Sequence, residues 1–269
     1  MKPIIKWQGG KRKELPHIRP FISDNISNIA EPFCGGAAVA FDNEGIAYLN
    51  DNNPHLINLY RVLQSSEHFD RMMECIDDAK ASPDTLETLY YSSRDIVNTY
   101  DFSDPFKAAW AFLVLRQQCF SGMERYNRSG GFNVPWGRYK SFSCSLGIEH
   151  HHFLKSAYIT GMDAVAFIDT LPADTFLFLD PPYLERLGYK HGDGGLDLHS
   201  SLAAKLKTID LPFLLVHSDD DFYRHAYADF NIVEVSFKYA QQFKGREMTK
   251  SDVIHLYISN QTISHLTND

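Results

Sequence analysis

Apolar residues fall into two kinds of run along this chain, and the two kinds are segregated. Towards both ends they form short blocks of about four to six residues, the length of strands buried in a sheet, separated by stretches with helical spacing. Between these ends, from about residue 60 to 115, apolar positions follow helical intervals and strand signals are sparse.

The individual elements can be placed. Residues 28–31 (NIAE) predict a strand running into the loop Pro32-Phe33-Cys34-Gly35-Gly36, with a short helix over 37–42. Residues 46–49 (IAYL) predict the next strand, ending at Asn50-Asp51. Pro54 then takes a first helical position behind Asn52 and Asn53, and Leu56, Ile57, Leu59, Tyr60 and Leu63 continue as an apolar stripe. In the middle segment, Asp104-Pro105 opens an apolar helix over about 106–118, and residues 127–131 predict a hairpin turn. Strand signals return at 157–160, 175–179, 211–216, 232–237 and 253–258, the last two pairing as a hairpin. The run TFLFL at 175–179 is continuously apolar, as in a parallel strand covered on both faces.

This pattern predicts an α/β fold with a Rossmann-like sheet, interrupted by a mostly helical insertion that carries a β-hairpin. The sheet domain is expected over 1–59 and 151–269, and the insertion over 60–150. Residues 191–195 (HGDGG) form the most linker-like stretch and predict a mobile loop.

Composition narrows the class. With 44% hydrophobic and 22% charged residues, the 269-residue chain is neither disordered nor fibrous. The longest apolar run, 108–115, has eight residues, against roughly 20 for a membrane span. No secretion signal or membrane partner is expected. Cys34, Cys75, Cys119 and Cys144 are widely spaced and form no CxxC pair, which argues against a zinc site and a disulfide framework. A reducing cytoplasm and no metal are the expectations. The net charge of −8 hides local basic windows: residues 1–20 hold six Lys/Arg against one Glu, and residues 116–140 five against one. Basic patches on an acidic body remain compatible with phosphate contacts.

The most informative motif is Asp180-Pro181-Pro182-Tyr183, directly after the apolar run. Ligands of open α/β sheets bind beyond the carboxyl ends of the strands. The prolines lack N–H groups and stiffen the chain, leaving carbonyl oxygens to accept. A carboxylate beside such a carbonyl suits the two hydrogens of an NH₂ group, and the tyrosine adds a stacking face. These parts describe a pocket for a planar aromatic amine; the competing explanation is a plain strand-ending turn. Gly35 and Gly36 allow close backbone approach to a ligand, although their spacing is not GxGxxG. Asp51 stands at a strand end where acidic residues hold ribose hydroxyls, and Asp163 follows the third strand, placed to accept from an adenine amino group. A helix cap is the alternative for both. The segment Lys6-Trp7-Gln8-Gly9-Gly10-Lys11 fails the P-loop spacing, which argues against nucleotide hydrolysis by that route.

Taken together and in order, K-W-x-G-G-K, P-F-C-G-G, N-D, G-x-D and D-P-P-Y resemble the Dam-type DNA adenine-N6 methyltransferases, the alpha-group or D12 class. So does RYNRSGGFNVPWGRYK at 125–140, and the likeness covers essentially the whole chain. The resemblance implies S-adenosyl-L-methionine as cofactor. Trp7 and Lys11 would contact it, Phe33, Cys34 and Gly35 would pack round its methionine part, Asp51 would hold its ribose and Asp163 its adenine. Asp180, Pro181, Pro182 and Tyr183 would form the catalytic pocket, with Asp180 also beside the cofactor. Residues 60–150 would recognise double-stranded DNA, placing a hairpin around 122–138 in the major groove. Arg116, Arg125, Asn127, Arg128 and Asn133 belong to the expected DNA contacts, as do Pro135, Trp136, Arg138 and Lys140. The expected target is GATC or a similar site, in a solitary or a restriction-modification setting. The target adenine would be flipped out of the duplex.

Some features depart from the pattern or lie outside it. Ser218-Asp219 stands where related enzymes carry Ser-Asn. His150-His151-His152 reads as a helix surface rather than a metal tract. Residues 184–195 are expected to order on DNA, and Lys244 and Arg246, before the last strand, to touch phosphate. Two other readings share parts of the pattern: a methyltransferase for another planar amine or amide (protein glutamine or RNA adenine), and a non-catalytic DNA-binding relative. Asp rather than Asn before Pro-Pro-Tyr, and the basic aromatic insertion, favour DNA over the first. The intact Asp180 loop and Asp51 argue against the second.

Overall fold

The computed structural model describes residues 1–261 apart from 24, 100–101, 184–195 and 239–251. Seven strands form one sheet: β1 (Asn28–Glu31), β2 (Ile46–Asn50), β3 (Tyr158–Thr160), β4 (Thr175–Leu179), β5 (Phe213–Ser218), β6 (Asn231–Lys238) and β7 (Asp252–Ser259). Their order is β3-β2-β1-β4-β5-β7-β6, with the first five parallel and β7 antiparallel to both neighbours. This is the expected Rossmann-like sheet, closed by the predicted hairpin. Strand order reverses between β1 and β4, the position where such sheets leave a crevice.

The helices are α1 (Leu15–Ile18), α2 (Pro54–Leu63), α3 (Ser66–Ala81), α4 (Leu86–Thr99), α5 (Pro105–Gln118), α6 (Ile148–Ser156), α7 (Ala164–Ile168), α8 (Leu196–Leu206) and α9 (Asp221–Ala226). Alternate residues of β4 explain its apolar run. Phe176 and Phe178 enter one core with α2, α5 and α6, while Leu177 and Leu179 enter another with α7, α8 and α9. Both faces are therefore covered, as the pattern predicted. The first core is continuous from Ile29 and Leu49 of the sheet to Tyr90 and Leu113 of the middle helices. The expected joins at 59/60 and 150/151 fall inside α2 and α6.

Local chemistry sets several boundaries. Asn53 caps α2, its side chain accepting from His55 N at 3.1 Å and Leu56 N at 3.2 Å, with Pro54 at the first helical position. The helix expected over 37–42 shrinks to a 3-10 turn at Ala40–Asp42, because Ala37 turns back with φ of 51°. The fifth strand begins two residues later than expected, at Phe213. His150 and His151 are buried rather than on the helix surface: His150 bonds Lys2 O and His151 bonds Leu63 O, both at 2.8 Å. Both rings thereby pin α6 to backbone carbonyls of distant segments.

Asp219, the departure after β5, forms a two-pronged ion pair with Arg224 at 2.6 and 2.8 Å. No helix among the described residues is long and apolar enough to cross a membrane.

Candidate active site

Because β2, β1 and β4 are adjacent and parallel, the loops that follow them leave at one edge of the sheet. A cavity of about 1150 Å³ opens there, running from the Asp180 loop past Phe33, Gly35 and Asp51 to the hairpin residues Tyr126 and Asn127.

Asp180 is anchored from within. The Lys11 ammonium lies 2.6 Å from Asp180 Oδ2, and also donates to the Tyr183 hydroxyl at 3.3 Å and to Gly9 O at 3.1 Å. Three acceptors match its three N–H bonds. Lys11 is 4% exposed and Asp180 20%, so the carboxylate borders the cavity and the ammonium supports it from inside. Burial pushes the Asp180 carboxyl above its ordinary range, against the opposing pull of Lys11. The Tyr183 ring rests near two histidines, with ring centres 4.7 Å from His217 and 5.9 Å from His255. Beyond Lys11, the buried Glu14 accepts from His255 Nδ1 at 3.0 Å and from the Tyr257 hydroxyl at 2.8 Å. Burial works to raise the Glu14 carboxyl, but the His255 bond, the Lys11 charge and the Tyr257 bond hold it below its usual value.

The glycine loop is shaped by its neighbours. Gly35 has φ of +44°, and a Cβ there would sit 2.4 Å from Trp7 Nε1. Asp51 Oδ2 accepts from Gly35 N and its Oδ1 from Asn53 N, both at 2.9 Å. Burial still pushes its carboxyl up to about 6. Asn50 joins the loops after β1 and β3: its amide donates to Pro32 O and Met162 O, and its oxygen accepts from Thr160 Oγ1 and Met162 N. Asp163 caps α7 through Oδ1, as its alternative reading held, yet it stays exposed and borders the cavity. Cys34 is buried, and desolvation raises its thiol well above the usual range, so it packs as an inert neutral group.

The hairpin turn forms where expected. Tyr126 and Phe132 pair across it, and Asn127 N donates to Gly131 O at 2.8 Å. The Asn127 side chain folds the turn, its oxygen accepting from Ser129 N, Ser129 Oγ and Gly131 N. Arg125 grips Asn133 across the hairpin, with bonds of 2.8 Å to its side-chain oxygen and 2.9 Å to its carbonyl. Arg128, Pro135, Arg138 and Lys140 are exposed, while Trp136 is half-buried and donates to Gln118 Oε1.

With this geometry in place, comparison with known proteins is decisive. Residues 7–241 match the family model of the D12 class N6 adenine-specific DNA methyltransferases. The chain belongs to that family. It is 34% identical over 273 residues to the type II methyltransferase M.CviBI of Paramecium bursaria Chlorella virus NC1A, an alignment covering 97% of this chain and 100% of the relative. It is 30% identical over 268 residues to a DNA adenine methylase of Haemophilus influenzae, covering 93% and 91% of the two. A 191-residue match to the DNA N-6-adenine-methyltransferase of Escherichia phage P1 has 35% identity and covers 68% of this chain and 24% of that protein.

Within this methyltransferase, one expected DNA contact lies elsewhere. Arg116 is 1% exposed, and its Nε and Nη2 donate to Lys6 O at 3.0 and 2.8 Å. It also lies 4.9 Å from the Trp7 ring centre. Because α5 is covered on nearly every side, its last turn ends inside the protein, and the guanidinium holds the N-terminal segment instead of facing solvent. The site also includes residues that the sequence reading did not assign: Glu31, Asn50 and Glu124 border the cavity, and Glu14 and His255 stand behind it. Asn50 beside Asp51 at a strand end was a signal for one of them; the pairing of Glu14 with His255, 241 positions apart, left none. Among the described residues, no group of three or more His, Cys, Asp or Glu side chains is arranged to hold a metal ion. Lys244, Arg246 and the 184–195 loop lie outside the described residues.

Proposed function

We propose that this DNA adenine methyltransferase takes its methyl group from S-adenosylmethionine and acts on the amino group of an adenine flipped from duplex DNA, at GATC or a similar site. The observation that carries the reading is the Asp180-Pro181-Pro182-Tyr183 turn at the end of a fully buried strand, on a cavity shared with the glycine loop and the basic hairpin.

The cavity wall fits the cofactor. Gly35 offers bare backbone, Phe33 an aromatic face, and Asp51, Glu124, Asp163 and Asp180 outnumber Lys11 and Arg116, which suits a cationic ligand. Phe33, Cys34 and Gly35 would hold its amino-acid part, with Asp51 and Asp163 on the nucleoside and Trp7 and Lys11 closing the wall. When bound, it supplies a methyl group activated on a sulfonium.

The chain's own residues do the remaining work. Asp180 and the Pro181 carbonyl accept hydrogen bonds from the two amino hydrogens of adenine, which localises the nitrogen lone pair towards the methyl donor. Tyr183 offers the stacking face for the extruded base. Stacking and the two hydrogen bonds offset a flipping cost of a few kcal/mol. Alignment for in-line displacement can contribute roughly 7–11 kcal/mol. Residues 60–150 carry target recognition, with Arg125, Asn127, Arg128, Asn133, Pro135, Trp136, Arg138 and Lys140 nearest the duplex. Arginines suit guanine edges, and the remaining cations suit phosphates.

The test is methyl transfer from labelled S-adenosylmethionine to unmethylated duplex DNA, read by nucleoside analysis. N6-methyladenine confined to one short site is expected. Folded protein that binds the cofactor yet leaves DNA adenine unmodified would overturn the reading.

A further inference from the structure

We propose that Glu14 and His255 are positioning residues for methyl transfer, fixing the Lys11–Asp180 pair and the ring of Tyr183 from inside the protein. The proposal rests on the reading of Asp180 as the acceptor for the adenine amino group.

Lys11 and Glu14 belong to one turn: Lys11 opens the 3-10 helix Lys11–Lys13, and Glu14 N donates to Lys11 O at 2.8 Å. A shift of Glu14 therefore shifts Lys11. Glu14 is tied to β7 by its bonds from His255 Nδ1 and the Tyr257 hydroxyl. The same His255 meets the Tyr183 ring edge-on, with ring planes at 81°. One strand, β7, thus steadies both ends of the Asp180 loop: Asp180 through Glu14 and Lys11, and Tyr183 directly. Neither Glu14 nor His255 borders the cavity, so contact with substrate does not account for them. Packing alone does not account for them either, because a buried carboxylate carries a desolvation cost that an apolar pair of similar volume avoids.

The charges around Asp180 make this arrangement testable. Lys11 and Glu14 act on it from the N-terminal turn, Glu31 from the end of β1, His255 from β7 and Tyr223 from α9, while Tyr183 of its own loop shares Lys11, His217 of β5 packs on Tyr183 and Tyr257 of β7 bonds Glu14. Among these, the Glu14 charge favours the protonated Asp180 carboxyl and the charged form of His255 opposes it. Removing each should therefore move the acid limb of activity in opposite directions.

The experiment compares Glu14→Gln, His255→Asn and Tyr257→Phe with the unaltered enzyme in single-turnover methylation of duplex DNA across pH. Glu14→Gln keeps the size and an acceptor oxygen, so it holds the test if His255→Asn folds poorly. For Glu14→Gln and His255→Asn, the single-turnover rate is expected to fall about tenfold or more, within the range that small misplacements produce. KM for DNA and the cofactor Kd should stay within about twofold. The acid limb should move to lower pH in Glu14→Gln and to higher pH in His255→Asn, and stay in place in Tyr257→Phe. An unchanged single-turnover rate and unchanged limbs would overturn the proposal. So would rate losses matched by equal losses of melting temperature and cofactor binding. If the unaltered enzyme leaves adenine unmethylated, the Asp180 reading itself fails, which no variant result imitates.

Discussion

The indole of Trp7 fills the space that a side chain at Gly35 would need: a Cβ there would lie 2.4 Å from Nε1 and 2.7 Å from Cδ1. The glycine-loop conformation and the N-terminal segment therefore specify one another. The φ of +44° at Gly35 would in addition cost a side-chain-bearing residue about 1–2 kcal/mol. Gly35→Ala should displace Trp7 and weaken cofactor binding by tenfold or more. Titration calorimetry checks this, and adding Trp7→Ala should restore at most part of the loss, because the backbone strain remains and Trp7 itself borders the cavity.

Asp180 has two roles that substitutions can separate. Asp180→Ala removes the acceptor and also strands a Lys11 that is 4% exposed, a change of the kind that costs about 3–5 kcal/mol. Asp180→Asn keeps an acceptor oxygen and the side-chain volume. Asp180→Ala should lose methyl transfer by about a hundredfold or more, the scale on which removing one positioned hydrogen-bonding group acts, and Asp180→Asn should lose less. Asp180→Ala should show the larger drop in melting temperature. Calorimetric melting beside single-turnover kinetics tests both statements.

Arginines that read alike in the sequence should behave differently. Arg116→Ala leaves the Lys6 carbonyl without its two donors inside the protein, and should destabilise the fold by about 2–4 kcal/mol. Arg128→Ala removes an exposed cation and should leave melting unchanged within about 0.5 kcal/mol while weakening DNA binding or its sequence discrimination. A flatter dependence of log affinity on log salt would mark Arg128 as a phosphate contact, and altered preference at one base a reading contact.

These contrasts show what was legible beforehand. The bounds of β1 and α2 followed from local signals: a short apolar block before Pro32, and an asparagine cap before Pro54. The place of Asp180 followed from the apolar run that β4 buries on both faces. The fate of Arg116 was not legible, since a polar residue on a helix reads as surface unless every side of that helix is covered. His150 and His151 were misplaced for the same reason. Lys11 with Asp180 and Glu14 with His255 are pairings across 169 and 241 positions, fixed by strand order rather than by any local pattern.

Glu31 should leave a mark on stability. Its carboxyl is pushed from an ordinary 4.5 to about 8, chiefly by burial, with Asp180 and Asp51 adding to the shift against its bonds from Ala40 and Val39. Between those values the folded protein holds a proton that the unfolded chain has released. Its contribution is therefore full below about 4.5 and declines as pH rises towards 8. Glu31→Gln keeps an acceptor for Ala40 N and removes the titration. It should raise the melting temperature more at pH 8 than at pH 5, and equal shifts at both would remove Glu31 from this role.

Adenine methylation at one short DNA site can be read by methylated-base sequencing of DNA from cells that lack their own methylases and express this enzyme. N6-methyladenine at GATC or one GATC-like motif is expected, and none when Asp180→Ala is expressed instead. Methyladenine that persists at full level with Asp180→Ala, or its absence with soluble unaltered protein, would contradict this function.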